Sequence, residues 1–265
     1  MRLFITILIL HLAVQTFAQV SLDSAFWNEK VDSISSLSIK PVKHPRRLLK
    51  KVIERIILDS RQKRRTNKYA VEATIGEGSP TSFTVNCIFS AEAGFDLENA
   101  RMEKFHYEGT LPLTRQDTVS IKSLLFERAM LSPVRGHRTY FSWKGTKSSN
   151  DIVKETIEGL EENNTVKAYS ISSDSGKGVY RISFAPKKTR YSAKRTTGTA
   201  FFDCNTFRMT QFKGETHQHT FGYDSRLVYQ IDYEKKGKAP VVKQIKMVGT
   251  TSNTVITSIM RKLDE

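Results

Sequence analysis

Two imidazoles stand two residues apart in His217-Gln218-His219, with Glu215 in phase with them. On an extended strand alternate residues share a face, so these three side chains project together. Two histidines and a carboxylate are donor types of a transition-metal site. His106 and His137 complete such a set only if the fold brings them close. A polar strand face produces the same spacing with no metal. The expectation is therefore no metal and no cofactor, with His217 and His219 as the candidates to check.

Other catalytic patterns are absent from the sequence. Cys204 lies between Asp203 and Asn205, with no histidine near it in the chain, and no Gly-x-Ser-x-Gly elbow occurs. Gly76-x-Gly78 and Gly176-x-Gly178 read as hairpin turns, not as phosphate-binding loops. The acidic pair Glu161-Glu162 reads as loop, without the apolar pocket that raises a glycosidase acid. No catalytic residue is assigned, and the chain is expected not to be an enzyme. Cys87 shares the apolar face of its strand with Phe83, Val85 and Phe89, whereas Cys204 sits in a turn. A Cys87–Cys204 disulfide and a buried free thiol both fit.

Charge narrows the partners. Lys and Arg total 42 against 27 Asp and Glu, a formal net charge of +15. The basic segments at 61–68 and 187–195, the second interleaved with Tyr191, have the make-up of a nucleic-acid grip. The amino terminus argues against that partner. Arg2, an apolar run from Leu3 to Val14 and the small–x–small triplet Thr16-Phe17-Ala18 have the form of an export signal. About a dozen apolar residues fall short of the roughly 20 needed to span a bilayer. Cleavage near Ala18 leaves a soluble periplasmic or extracellular protein, with an uncleaved anchor as the alternative. No nucleic acid is expected there. The polyanions available are lipid head groups, lipopolysaccharide and acidic glycans, so an anionic membrane surface is a possible partner.

The elements that must position these residues follow from periodicity. Residues 19–44 lack a clear pattern and read as a lead-in. From Pro45, Leu48, Leu49, Val52, Ile53, Ile56 and Ile57 form one stripe of a helix whose other face is basic. A packed stripe and a membrane-surface helix both fit, and packing is the expectation. From Lys68 the period becomes two: Tyr69, Val71, Ala73 and Ile75, then Phe83, Val85, Cys87 and Phe89, then Phe105 and Tyr107. Helices are expected near 121–130 and 150–160, with a strand at 140–143 between them. Strands and tight turns follow from Thr165 to Met260, with Glu161 to Asn164 as a loop before them. The predicted class is α+β: a curved antiparallel sheet, an incomplete β-barrel, covered by two or three helices. The domain plan is a signal at 1–18, a lead-in at 19–44 and a single domain over 45–265 with a helical insertion near 120–160.

Several segments carry a family resemblance. Arg46-Arg47-Leu48-Leu49-Lys50-Lys51-Val52-Ile53-Glu54-Arg55, then Lys68-Tyr69-Ala70-Val71-Glu72-Ala73, and Leu131-Ser132-Pro133 resemble an uncharacterised segment of Bacteroidetes envelope proteins that often carry a carboxypeptidase-like regulatory domain. Tyr180-Arg181-Ile182-Ser183-Phe184-Ala185-Pro186-Lys187-Lys188, then Gly198-Thr199-Ala200-Phe201-Phe202-Asp203, resemble the hairpin of lipoprotein-carrier (LolA/LolB-like) half-barrels. The resemblance covers about two thirds of the chain after the signal. It implies a half-open barrel with a helical lid and an apolar cavity for acyl chains, and it supplies no catalytic residue.

Together these readings point to a binding protein for a lipid or acylated ligand. Candidate cavity residues are Phe83, Val85, Phe89, Tyr180, Ile182, Phe184, Tyr229 and Ile231, each of which also fits ordinary core. Lys187, Lys188 and Arg190 are the candidates for an anionic head group. Burying one methylene is worth about 0.8 kcal/mol, so one C14–C16 chain supplies on the order of 10 kcal/mol before ordering costs. The rival readings are a non-catalytic interaction module of an outer-membrane complex, working with other envelope proteins, and a metal-dependent hydrolase using His217 and His219.

Overall fold

A single eleven-stranded antiparallel sheet organises the chain, with helices lying against one of its faces. The structure is a computed structural model that describes residues 38–76, 82–94, 97–109, 114–124, 149–172, 178–187, 194–220, 223–234, 240–251 and 254–264. The export signal, most of the lead-in, the strand expected at 140–143, Leu131-Ser132-Pro133, His137, Lys188, Arg190 and Tyr191 lie outside the described residues.

In chain order the elements are β1 (Ser38–Pro41), α1 (Pro45–Ser60), β2 (Arg65–Ile75), β3 (Phe83–Ala93), β4 (Leu97–Gly109), α2 (Arg115–Leu124), α3 (Ser149–Asn163), β5 (Asn164–Ser172), β6 (Gly178–Pro186), β7 (Lys194–Asp203), β8 (Met209–Thr220), β9 (Tyr223–Glu234), β10 (Val241–Thr251) and β11 (Val255–Lys262). The strand order is β1-β5-β6-β7-β8-β9-β10-β11-β2-β3-β4. Neighbours in sequence are neighbours in space except at two seams. β11 pairs with β2, joining the last strand to the first long one, and β1 pairs with β5. Among the described residues the sheet is not closed: β1 and β4 are its edges.

Laid flat at about 4.8 Å per strand, eleven strands would be roughly 50 Å wide, about twice the ~24 Å length of a 16-residue helix. Yet the inner-face residues of β2, β3 and β5 to β11 form one buried cluster with the apolar stripes of α1 and α3. A curved sheet accommodates both this width and the single cluster. α1 forms where the sequence places it. Pro45 is acceptable in the first turn, where its missing N–H costs no hydrogen bond. Leu48, Leu49, Val52, Ile53, Ile56 and Ile57 are all buried. Arg46, Arg47, Lys50 and Lys51 opposite them remain exposed, so the packed reading of this helix holds.

Several boundaries differ from the sequence expectation. The lead-in contains β1, whose four exposed residues carry no alternation and are held by pairing with β5. Part of the basic run after α1 is strand, because β2 starts at Arg65. The first middle helix, α2, already starts at Arg115 and includes residues 121–124 of the expected span, while 125–130 lie outside the described residues. Glu161 and Glu162 are helical and not loop. α3 runs to Asn163, where Asn163 Nδ2 donates to the Gly159 carbonyl (2.9 Å) and Asn164 Nδ2 to the Leu160 carbonyl (3.3 Å). These amides satisfy carbonyls that the helix end leaves free, so β5 follows without a loop.

Candidate functional site

The inner face of the sheet is where the sequence points, and the register places its candidates on that one face, spread over strands three and four apart in the sheet order. Val85 and Phe89 stand on β3, Ile182 and Phe184 on β6, Tyr229 and Ile231 on β9, and all six are at most 1 % exposed. They belong to the cluster that contains the α1 and α3 stripes, so the protein's own helices cover them. Phe83 and Tyr180 are half-buried at the margin of that cluster. Phe83 leans on Tyr107 with ring centroids 5.4 Å apart. Tyr180 stacks on Phe207 at 5.9 Å, and the Lys51 ammonium of α1 lies 5.0 Å from the Phe207 ring. Phe207 adopts φ 56°, a left-handed conformation uncommon for a bulky residue, in the β7–β8 turn.

Two glycines shape the middle of this face. Phe184 is opposite Gly198, Gly198 opposite Gly214, and Gly214 opposite Tyr229. A Cβ on Gly214 would collide with the Tyr229 ring, which lies across it. The gap in side chains on β7 and β8 is thus filled from β9. Nothing in the local sequence separates these glycines from turn glycines; only their cross-strand positions do.

The turn that carries Phe207 is tied to α1. Asp203 Oδ1 accepts hydrogen bonds from the Asn205 and Thr206 backbone N–H groups at 3.1 and 2.8 Å and from the Thr206 hydroxyl at 2.9 Å. Arg208 then reaches the carboxylate of Asp59, 3.8 Å away, in the last turn of α1. Asp59 is 3 % exposed and also pairs with Arg55 at 2.7 Å. Burial pushes its carboxyl above the ordinary carboxylate range, against the pull of both guanidinium groups. Periodicity alone did not reveal this buried ion cluster.

The proposed head-group cations are only partly placed. Lys187 is exposed, its backbone N–H donates to the Asn163 carbonyl at 3.0 Å, and its ammonium donates to the Glu161 carbonyl. It therefore caps the end of α3. Lys188 and Arg190 lie outside the described residues.

His217 stands on the outer face. His217 Nε2 is 2.7 Å from Asp224 Oδ1, and Glu215 accepts from Arg226 Nε at 2.8 Å. These are diagonal cross-strand pairs between β8 and β9. The side chain of His219 lies outside the described residues. His106 is on β4, beside Glu108 at 3.3 Å and six strands from β8 in the sheet order. Among the described residues no group of three or more His, Cys, Asp or Glu is placed to hold a metal ion. Both cysteines are free. Burial among β3 and its neighbours pushes the Cys87 thiol up to about 11, with Lys122 pulling weakly the other way. No helix among the described residues is long and apolar enough to cross a membrane.

No protein-family model matches the chain, and comparison with curated proteins finds no match. Among solved structures, the chain is similar to a LolA superfamily protein from Nitrosomonas europaea at 12 % identity. The match covers 82 % of this chain and 90 % of that one, with a TM-score of 0.28. That superfamily is the one the hairpin motifs resemble. At this TM-score the likeness carries no argument, and the open sheet described above rests on its own strand pairing. Nothing in the comparisons bears on a Bacteroidetes source or a carboxypeptidase-like domain.

Proposed function

We propose that the protein binds a lipid or acylated ligand on the inner face of its open sheet, as a non-catalytic protein of the cell envelope. The observation that carries this reading is how the inner face is covered. An apolar surface runs across nearly the whole unclosed sheet, and helices cover it instead of a second sheet. α1 is joined to the sheet by side chains and can shift without breaking a strand ladder, whereas α3 runs directly into β5. In the conformation described, the six most buried candidates are shielded. Ligand entry therefore requires α1 to move, and the acyl chain then takes over contacts that its apolar stripe now makes. The resemblance of the Tyr180–Asp203 region to lipoprotein-carrier hairpins agrees with this chemistry.

The full burial of those same residues favours a second reading. A sheet already filled by its own helices has a complete core with no ligand, as an interaction module of an envelope complex would. Two measurements on the purified full-length protein separate the readings. Organic extraction followed by mass spectrometry should recover acyl lipid near one equivalent, and stripped protein should take up a fluorescent C16–C18 fatty acid with saturation. Protein that is clean on extraction and takes up no fatty acid overturns the binding proposal and leaves the interaction module.

A further inference from the structure

The face of the sheet that no described helix covers carries a charge pattern of its own. Cross-strand register lines up its residues in rows. One row runs from Tyr169 on β5 through Arg181 on β6 to Arg261 on β11 and Lys104 on β4. The adjacent row holds Lys167 on β5, Lys213 on β8 and Lys246 on β10. Across both rows the only carboxylates are Asp232 and Glu72. Asp232 already accepts from Gln211 at 2.8 Å and from Gln230 at 2.9 Å. The Arg181 guanidinium lies over the Tyr169 ring, 4.6 Å from its centroid. Six cations therefore stand in these two rows, whose other members are hydroxyls, amides, apolar side chains, His106 and the two carboxylates.

The same two rows end in a largely apolar hollow. Ala70, Ile88 and Ile259 are half-buried side by side on β2, β3 and β11, and together with Lys104, Arg261 and Glu72 they line a space of about 620 Å³. A cationic field with a small apolar foothold is complementary to an anionic lipid surface, where head groups meet the field and the foothold contacts the acyl boundary. Each Lys or Arg near such a surface is worth about 1 kcal/mol, and salt weakens the attraction.

We infer that the outer face of the sheet docks on an anionic lipid bilayer through Lys104, Lys167, Arg181, Lys213, Lys246 and Arg261. This leaves α1 and the inner face directed away from the membrane. It is independent of ligand binding on the inner face, and its test does not use that site.

The test is co-sedimentation of the full chain with vesicles of phosphatidylcholine alone or with 30 mol % phosphatidylglycerol. The parent protein should bind the anionic vesicles at 50 mM NaCl and lose at least tenfold in affinity at 500 mM. A Lys213→Glu/Lys246→Glu variant should lose at least tenfold at low salt. A control with the same change in net charge, Arg46→Glu/Lys50→Glu on the exposed side of α1, should lose less than threefold. Circular dichroism and thermal melting verify that both variants fold, and a Lys167→Glu/Arg261→Glu variant at the ends of the rows replaces the first if it does not. Failure to bind anionic vesicles, or equal loss in the α1 control, overturns the inference. The second outcome assigns the attraction to overall charge or to the basic helix.

Discussion

Asp59 is the residue whose environment most changes its chemistry. It is a carboxylate at 3 % exposure, held between Arg55 and Arg208. Burial disfavours its charged form more than the two guanidinium groups favour it, so its folded-state pKa lies above the unfolded value. A group raised on folding contributes stability that is present below the unfolded pKa and lost as pH climbs through the folded one. In Asp59→Asn that pH-linked contribution is absent. The stability advantage of the parent over Asp59→Asn should therefore be largest near pH 3.5 and shrink toward pH 7. Urea unfolding of both proteins at the two pH values checks this, and an advantage that grows with pH contradicts it. The neutral buried thiol of Cys87 is a quieter case: burial sets its state and removes it from reaction at physiological pH.

At the scale of elements, the contact between β7, β8 and β9 shows how a sheet of this width fills its interior. Gly214 gives up a side chain where the ring of Tyr229 arrives from the neighbouring strand, and Gly198 stands opposite Gly214 on β7. Such aromatic cover of strand glycines is a recurrent device for pinning register in curved sheets. Gly214→Ala places a methyl where the Tyr229 ring now lies, in a region that is fully buried. Overpacking of this kind costs about 1–3 kcal/mol. A chemical-denaturation midpoint lowered accordingly, with the m-value unchanged, is the expected result. A neutral substitution would mean that Tyr229 swings away freely and that the inner face is softer than its packing implies.

At the scale of the whole molecule, one seam joins the two ends of the chain. β5 to β11 form a run of hairpins, β2 to β4 form another, and the β11–β2 ladder from Ile256↔Ile75 to Lys262↔Tyr69 unites them. That ladder is the long-range pairing on which the common core depends. Deletion of residues 255–265 should expose two strand edges and the inner side of β2 and β10 together. The expected outcome is loss of the single cooperative unfolding transition and strong binding of a hydrophobic dye. Retention of one sharp transition would show that the two runs hold together through the helices alone.

Much of this architecture was legible in the sequence because it rests on periodicity. The stripe Leu48 to Ile57 has only one way to hide on a helix, and alternation at Tyr69, Val71, Ala73 and Ile75 has only one on a strand. The inner-face candidates were identified by the same alternation, although periodicity cannot distinguish a residue that lines a cavity from one that fills a core. Other features depend on which strands meet. β1 has no pattern of its own and exists because β5 offers it a partner. Glu161 and Glu162 read as loop because the end of α3 is fixed by Asn163 and Asn164 returning to its carbonyls. Asp59 reads as a solvated last-turn acid until Arg208 arrives from a turn almost 150 positions away in the chain. The cationic rows on the outer face are scattered over six strands and cannot be assembled without register. Local sequence determined which face of each element is oily, since that follows from backbone geometry. Tertiary structure alone decided which faces meet and which charges stand together, because those outcomes belong to pairs of segments far apart along the chain.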